Sequence, residues 1–258
     1  MYYEYDNIKI HYDVYENKFA KKNILILPGW GEVKNTFYNL INYFRSNYNI
    51  YFIDYPSFGN SPIPDKDLTI YDYSMLIKNF IIDLELDDPY IIAHSFGGRI
   101  ATILSGLYKL KLSKMVFIDT AGVKPRKTLK RFIKEKTYKF LKFMCTKLFK
   151  RTKKQKIRKL REIFSSSDYN SLPDSMLTTF RNIVNEDLKR YYDDIDSNVL
   201  LIWGKKDIDT PFKDAKFMKK HIKNSSLVVF NEATHFSYLE YAFAINVIIE
   251  DFFMENKE

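Results

Sequence analysis

Short apolar runs alternate with segments of helical periodicity along most of this chain. Six runs are continuously apolar and end in turn or polar residues, namely 23–29, 49–56, 89–95, 114–122, 198–207 and 226–235. Strands buried on both faces have this pattern, because neither face needs polar side chains. Helical spacing occupies most of the intervals between them, at 36–45, 71–86, 97–108 and 214–222, and follows the last run at 238–253. The alternation predicts an α/β fold, a mostly parallel central sheet with helices on both faces.

Two segments depart from this alternation. Residues 2–17 alternate polar and apolar side chains, which predicts an antiparallel hairpin at the edge of the sheet. No strand pattern lies between residues 122 and 198, where the apolar residues have helical spacing. We therefore predict a core domain formed by residues 1–122 and 198–258, interrupted by an inserted helical cap over residues 123–197.

Composition places the chain among ordinary globular proteins. Of its 258 residues, 46% are hydrophobic and 28% are charged, which argues against disorder. The N-terminal residues lack a basic region followed by an apolar one, and no apolar run approaches the roughly 20 residues of a membrane span. Cys145 is the single cysteine, which excludes an intrachain disulfide. We expect a cytoplasmic protein.

Candidate catalytic residues lie where the predicted strands end. In parallel sheets, ligands bind beyond the carboxyl ends of the strands. Ser95, Asp207 and His235 occupy such ends. A serine hydroxyl becomes a strong nucleophile when a histidine takes its proton, and a carboxylate holds that histidine in the correct tautomer. These three residues are the types that nucleophilic catalysis needs.

The sequence "AHSFGG" around Ser95 is typical of a sharp strand-to-helix turn. Small residues at the second position on each side, here Ala93 and Gly97, avoid clashes in such a nucleophile elbow. The backbone N–H of Phe96 opens the following helix and could stabilise a developing oxyanion. A second donor is expected from the "LPGWG" loop, at the N–H of Trp30.

Five ordered segments resemble the α/β-hydrolase family over nearly the whole chain. They are "LPGWG" for the oxyanion loop, "DYPSFGNS" after the next strand, "AHSFGG" for the elbow, "WGKKDIDTP" for the acid and "EATHFSYLE" for the histidine. The order Ser, Asp, His is the order of that family. The resemblance implies an eight-stranded, mostly parallel sheet and a serine hydrolase mechanism with Ser95, His235 and Asp207 as the catalytic residues.

Three positions depart from the family pattern without removing a catalytic group. Ala93 replaces the first glycine of G-x-S-x-G, Pro28 stands where many members have histidine, and Ser57 replaces a glycine in the loop after the second strand. Asp209 and Asp119 remain rival acids, since Asp209 lies two residues beyond Asp207 and Asp119 ends another strand. His94 is interpreted as a spacer inside the elbow, and His11 and His221 as structural.

The resemblance predicts hydrolysis of a carboxylic ester in a small-molecule ester or acyl substrate. Alternatives are a thioesterase, a methyl esterase acting on acyl-carrier-protein substrates, a carbon-carbon bond hydrolase, an aminopeptidase, or a non-catalytic binding protein of the same fold. No dinucleotide loop, phosphate loop or metal-ligand spacing occurs in the sequence, so no cofactor or metal is expected. A serine at the elbow argues against the dehalogenases and epoxide hydrolases of this family, which use aspartate there.

Positive charge is concentrated in the predicted cap. Residues 124–161 contain 18 Lys and Arg and one acid, so this segment carries +17 and the rest of the chain, whose total is +9, carries −8. Apolar residues recur between the cations at helical spacing, at Leu129, Phe132, Ile133, Phe140, Met144 and Leu148. The pattern is consistent with a solvated basic face, with an anionic membrane surface, or with an acidic acyl-carrier protein as partner. A nucleic-acid partner is not expected.

Overall fold

The computed structural model of the protein describes residues 1–124, 129–148, 156–157, 159 and 172–255. The chain divides into two compact units. The first contains residues 1–123 and 186–258, and the second contains residues 124–185. Residues 186–197, which the sequence pattern assigned to the insertion, belong to the first unit and include a short 3-10 helix, Lys189–Asp194.

An eight-stranded sheet forms the centre of the first unit. The strands are β1 (Tyr2–Tyr5), β2 (Ile8–Tyr15), β3 (Asn23–Leu27), β4 (Asn49–Asp54), β5 (Tyr90–His94), β6 (Lys114–Ile118), β7 (Asn198–Gly204) and β8 (Ser225–Phe230). Their order is β1-β2-β4-β3-β5-β6-β7-β8. The pairs β1–β2 and β2–β4 are antiparallel and the remaining pairs are parallel. The predicted sheet and its antiparallel edge hairpin are confirmed.

The edge hairpin turns at two residues with left-handed backbone. Asp6 has φ 51° and Asn7 has φ 59°. Two consecutive positive φ values are typical of the tight hairpin turn whose twist matches that of the strands, and aspartate and asparagine tolerate this conformation better than most residues. The turn fixes the register in which Tyr5 pairs with Ile8.

The helices of the described chain follow the predicted alternation. In chain order they are α1 (Tyr38–Phe44), α2 (Ile70–Asp83), α3 (Phe96–Thr102), α4 (Leu129–Leu148), α5 (Leu177–Asn185), α6 (Phe212–His221), α7 (Ser237–Glu240) and α8 (Ala242–Met254). A 3-10 turn, Lys34–Phe37, precedes α1, and a more widely wound turn, Ile103–Leu107, extends α3. No described helix combines the length and apolar character that crossing a membrane requires.

Both faces of the sheet are covered, as the continuous apolar strands predict. Leu25 and Ile26 point to opposite faces of β3, and both are fully buried. One face packs against α1 and α8 through Phe44, Ile245 and neighbouring side chains. The helix α3 contacts β3, β5 and β6, and α6 contacts β7 and β8. The packing of α3 on three strands fixes its first turn at the carboxyl end of the sheet.

The second unit is helical in its described part. It contains α4, the 3-10 turn Asp174–Met176 and α5. Phe140 and Phe143 of α4 are exposed over 62% and 52% of their surface, although the amphipathic pattern had assigned Phe140 to an apolar face. The side chains of Leu129, Phe132, Ile133 and Leu148, which that pattern also used, lie outside the described residues.

Candidate active site

Ser95 lies on a strained turn between β5 and α3. Its backbone adopts φ 45° and ψ −108°, a region that L-residues rarely occupy. The turn is held on both sides, because the Ser95 N–H donates to the Ile118 carbonyl at 3.2 Å and the Ser95 carbonyl accepts from the Ala121 N–H at 2.9 Å. The following helix therefore starts abruptly at Phe96.

The two glycines after Phe96 are required by close approach rather than by their own dihedral angles. A Cβ on Gly97 would lie 1.9 Å from the carbonyl oxygen of Leu27, at the end of β3. A Cβ on Gly98 would lie 2.3 Å from Cγ2 of Thr120. A side chain at Gly97 would push α3 away from the sheet, and one at Gly98 would collide with the Thr120 side chain in the loop after β6. The motif therefore encodes the contact that holds Ser95 in its turn.

Three side chains from separate loops form a hydrogen-bonded series. His235 Nε2 lies 3.0 Å from Ser95 Oγ, and His235 Nδ1 lies 2.8 Å from Asp207 Oδ2. A carboxylate oxygen only accepts, so Nδ1 carries the proton and Nε2 is left to accept from the serine hydroxyl. The structure thus brings together the three residues that the sequence analysis selected, in the arrangement that proton removal from Ser95 needs.

Asp207 is held as a carboxylate by its surroundings. Its Oδ1 accepts from the N–H groups of Asp209 and Thr210 at 2.8 and 2.9 Å, and its Oδ2 accepts from the Thr210 hydroxyl at 2.6 Å. Burial alone would raise the pKa of Asp207, but the hydrogen bond and charge of His235, together with the Thr210 bonds, hold it below the usual value. The residue is therefore charged at neutral pH.

The rival acids occupy other positions. The side chain of Asp209 is exposed, and its backbone N–H donates to Asp207. Asp119 is fully buried, and its carboxylate accepts from the Gly204 N–H at 2.7 Å and from the N–H and hydroxyl of Ser237. Asp119 therefore anchors the segment just after His235 and takes no hydrogen bond from the His235 ring among the described contacts.

Asp207, Asp209 and His235 also form a group whose ligand atoms lie within 4.8 Å of one another. Two of the atoms that such a group would offer to a metal ion, Asp207 Oδ2 and His235 Nδ1, are already bonded to each other. Occupation by a cation would break that bond and displace the proton on Nδ1. The donor set therefore fits the hydrogen-bonded series better than a metal site.

Trp30 and Phe96, whose N–H groups were predicted to bind an oxyanion, lie beside each other. Their rings meet edge to face with centroids 5.1 Å apart. The Phe96 N–H belongs to the first turn of α3, where backbone donors have no partner within the helix. The Phe96 ring also contacts Tyr55 and Tyr73. The oxyanion role of the two N–H groups stays a prediction.

Sequence reasoning missed a buried pair next to this series. Glu32, in the loop after β3, lies with its Oε2 2.9 Å from His94 Nδ1, while His94 Nε2 lies 2.8 Å from the main-chain carbonyl of His235. Tyr238 donates its hydroxyl to Glu32 Oε1 at 2.9 Å. The signal that could have found this pair is an ionisable residue at the end of an apolar strand, since a buried charge needs a partner.

The remaining two histidines and Ser57, which replaces a glycine of the family pattern, have structural roles. His11 Nδ1 lies 3.0 Å from Asp54, which also accepts from the Asn60 N–H and so orders the loop after β4. His221 Nδ1 lies 3.0 Å from Asp193. Ser57 has φ 77°, the left-handed region that glycine favours, so the serine keeps the conformation expected of the glycine it replaces.

Two family models match this chain, one on each side of residues 145–180. Residues 22–144 match the sequence model of a family described as alpha/beta hydrolase fold, and residues 181–258 match one described as TAP-like protein. A 2-hydroxy-6-oxononadienedioate/2-hydroxy-6-oxononatrienedioate hydrolase of Pseudomonas putida is 25% identical, over 95% of this chain and 92% of its own. A pimeloyl-[acyl-carrier protein] methyl ester esterase of Neisseria meningitidis is 22% identical, over 90% of this chain and 94% of its own.

Solved structures agree with this chain in fold. The enol-lactonase from Burkholderia xenovorans superposes with a TM-score of 0.75 at 17% identity, covering 99% of this chain and 100% of that one. An esterase from Exiguobacterium antarcticum gives a TM-score of 0.73 at 20% identity, covering 96% of each chain. The shared fold spans almost the whole of this sequence.

The raised pKa of Asp119 predicts that the stability of the fold depends on pH. Burial raises its pKa from 3.8 to about 6, against the hydrogen bonds from Ser237 and Gly204 that lower it. The folded protein then binds this proton more tightly than the unfolded chain does, so Asp119 reduces stability as pH rises from about 4 to about 6. Asp119→Asn removes this titration. Relative to the wild type, we expect the variant to gain roughly 2–3 kcal/mol of unfolding free energy between pH 4 and pH 7.

Urea denaturation of both proteins at several pH values between 4 and 7 measures this difference. Other carboxylates titrate in the same range, but they are common to both proteins and cancel in the comparison. A difference in unfolding free energy that is the same at both ends of the range would contradict the prediction.

Proposed function

Because this chain belongs to the α/β-hydrolase family, we propose that it is a serine hydrolase that cleaves a carboxylic ester. The observation that carries the proposal is the continuous series of hydrogen bonds from Ser95 Oγ through His235 to Asp207. A serine with a purely structural role does not require a hydrogen bond to a histidine whose other ring nitrogen is bonded to a buried carboxylate. This arrangement also argues against a non-catalytic binding protein of the same fold.

The proposed reaction begins with proton removal from Ser95. His235 Nε2 accepts the hydroxyl proton as Oγ bonds to the ester carbonyl carbon, and the carbonyl π electrons become the oxyanion. The backbone N–H groups of Trp30 and Phe96 stabilise that oxyanion, and Asp207 stabilises the imidazolium. Collapse of the tetrahedral intermediate breaks the ester bond, and the alcohol leaves with the proton from Nε2. Water then attacks the acyl-enzyme with the same assistance and releases the acid.

An ester is the substrate class that we favour. Relatives named as methyl ester esterases recur among the similar proteins, and an esterase shares the fold. A carbon-carbon bond hydrolase is the second candidate, because the Pseudomonas putida hydrolase is similar over nearly the whole chain. The thioesterase and aminopeptidase alternatives use the same catalytic groups. Turnover measured with acyl esters, acyl thioesters, amino-acid amides and a vinylogous diketone separates the four.

Replacement of the nucleophile gives the direct test. Ser95→Ala removes the attacking oxygen, and we expect ester turnover to fall by about 10⁴-fold or more. Ser226→Ala changes an exposed serine on β8 and serves as the matched control, with turnover expected to stay at the wild-type level. A fluorophosphonate probe followed by peptide mass spectrometry should label Ser95. Labelling elsewhere, or ester turnover by Ser95→Ala, would refute the proposed nucleophile.

The acid can be assigned by two neighbouring substitutions. Asp207→Asn leaves the volume unchanged but lets the side-chain amide donate toward His235, which favours the wrong tautomer, so we expect turnover to fall by about 10³–10⁴-fold. Asp209→Asn alters an exposed carboxylate two residues away, and we expect turnover within about twofold of the wild type. Steady-state kinetics on both variants measures the ranking. The reverse ranking, or a comparable loss in Asp119→Asn at a pH where that variant is folded, would move the role to another acid.

We also propose that the basic segment formed by residues 124–161 binds an anionic membrane surface. Four described lysines of α4 are exposed, Lys136, Lys139, Lys142 and Lys147. Phe140 and Phe143 are exposed between them, and the spacing 136, 140, 143, 147 follows one helix face. Exposed aromatic rings within a basic face are typical of helices that lie in the membrane interface. An acidic acyl-carrier protein, suggested by the names of the Neisseria relatives, is the competing partner.

Sedimentation with vesicles tests the membrane proposal. We expect binding to phosphatidylglycerol vesicles that weakens with salt. The double variant Phe140→Ser/Phe143→Ser should lose at least about tenfold in affinity for these vesicles, because it lacks the two rings that would enter the membrane. Phe19→Ser changes a phenylalanine that is 85% exposed in the other unit and should bind as the wild type does. Equal binding to uncharged vesicles would refute the proposal, as would binding only to an acyl-carrier protein.

A further inference from the structure

A second histidine, His94, adjoins the proposed catalytic residues and directly precedes Ser95. The His94 side chain is 1% exposed, and its ring centroid lies 4.9 Å from that of His235. His94 is the last residue of β5, and it contacts Glu32 in the loop after β3 and the His235 carbonyl in the loop after β8. It therefore links the carboxyl ends of three strands. None of the steps proposed above uses it.

We propose that His94 is a positioning residue held as an imidazolium, which joins the Glu32 carboxylate to the main-chain carbonyl of His235 and so fixes the backbone that orients the His235 ring. The inference rests on the proposed hydrolase mechanism for its catalytic consequence. Its structural part, the protonation state of His94, stands on the hydrogen bonds alone.

The first proton is assigned by the acceptor it faces. A main-chain carbonyl has no hydrogen to donate, so His94 Nε2, 2.8 Å from the His235 oxygen, must carry a proton. A neutral histidine has one N–H group only. Nδ1 would then be unprotonated unless the ring is charged.

The second proton is assigned by the bonds that Glu32 already accepts. Its Oε2 accepts the N–H of Gly29, and its Oε1 accepts the hydroxyl of Tyr238. Both bonds favour a carboxylate, because a protonated carboxyl oxygen is a poor acceptor. His94 Nδ1, 2.9 Å from Oε2, must therefore be the donor. With both ring nitrogens protonated, His94 is a cation paired with Glu32.

The electrostatic surroundings agree with this assignment. Burial would raise the pKa of Glu32, but the charge and hydrogen bond of His94, with the bonds from Gly29 and Tyr238, hold it below its usual value. Burial would lower the pKa of His94, but the Glu32 carboxylate raises it. Among the described residues, the ionisable groups that face His94 are Glu32 after β3, Asp119 after β6, and His235 and Tyr238 after β8. Glu32 and Asp119 are acids, and this described set contains no lysine or arginine.

The loop after β3 is shaped around this pair. A Cβ on Gly29 would lie 2.6 Å from Glu32 Oε2 and 2.9 Å from His94 Nδ1. The glycine is thus needed so that the carboxylate and the imidazolium can meet above its Cα atom. Glu32 also accepts the Gly29 N–H and so fixes the residue that precedes Trp30, a proposed oxyanion donor.

The consequence for catalysis follows from the hydrogen bond to the His235 carbonyl. The His94 Nε2–H group holds the backbone of His235, and this backbone orients the ring between Ser95 and Asp207. The pairing with Glu32 in turn fixes the His94 ring.

Histidine NMR tests the protonation state directly. In ¹⁵N-histidine-labelled protein, the signal that disappears in His94→Gln should show two protonated ring nitrogens at pH 7. In Glu32→Gln, which removes the paired charge, the same signal should change to that of a neutral ring at this pH. A neutral His94 in the wild type at pH 7 would overturn the proposal, whatever the enzyme's activity.

Kinetics tests the catalytic part. His94→Gln can keep a donor near the His235 carbonyl but cannot form the ion pair with Glu32, so the backbone of His235 should be held less firmly. We expect kcat to fall by about tenfold with KM within about twofold, because no substrate contact is lost. His221→Gln, the same change at a partly exposed contact with Asp193, is the matched control and should leave kcat and KM unchanged.

Two controls separate this proposal from the proposed function. Phosphonate labelling of Ser95 in the wild type reports the nucleophile independently of His94, so failure there refutes the hydrolase mechanism alone. If His94→Gln does not fold, Glu32→Gln supplies the same comparison, with kcat again expected to fall while KM is retained. A kcat equal to that of the wild type in whichever variant folds would overturn the catalytic role of His94.

Discussion

The contact between the first turn of α3 and the end of β3 is the constraint on which the rest of the site depends. No side-chain atom fits between Gly97 and the carbonyl oxygen of Leu27. Because α3 must start this close to the sheet, the chain has no room for a gradual turn, and Ser95 adopts φ 45°. Such a conformation costs on the order of 1–3 kcal/mol. The bonds of Ser95 to Ile118 and Ala121 and the packing of α3 on the sheet offset this cost, and the hydroxyl is directed toward His235.

Two carboxylates on neighbouring strand ends show how local surroundings divide structural and chemical roles. Asp207, after β7, accepts four described hydrogen bonds, including the one from His235, and is held charged. Asp119, after β6, is more deeply buried and its pKa is raised to about 6. Residue type and strand position are alike, so they could not separate the two acids from sequence. Their partners separate them, because the His235 ring lowers the pKa of Asp207, whereas burial is the largest influence on the pKa of Asp119.

The sequence predicts this fold well because its main determinants are local. Continuous apolar strands, the left-handed turn at Asp6 and Asn7 and the glycines after Ser95 are each readable within a few residues. The pair of Glu32 and His94 was not predictable in this way, since its partners lie 62 positions apart in the chain and meet only when β3 and β5 become neighbours. The inserted segment shows the same limit. Its composition reveals a charge of +17, but amphipathic spacing alone did not predict that Phe140 would be exposed.

The rings of Trp30 and Phe96 explain how the two proposed oxyanion donors, which come from distant loops, can keep a fixed separation. Backbone N–H groups stabilise an oxyanion only if both already point at the place where charge develops, because reorganisation during the reaction would cost part of the gain. Trp30 follows β3 and Phe96 follows β5, so the sheet aligns them only at the strand level. The edge-to-face contact of their rings and the contact of Phe96 with the buried Tyr73 lock the two loops together beyond the sheet. Glu32 in addition bonds both Gly29 and His94, the residues that precede Trp30 and Ser95. Two separate sets of contacts thus hold the proposed oxyanion site, both made by side chains that do not touch the substrate in the proposed mechanism, so the geometry of the site is set before a substrate binds.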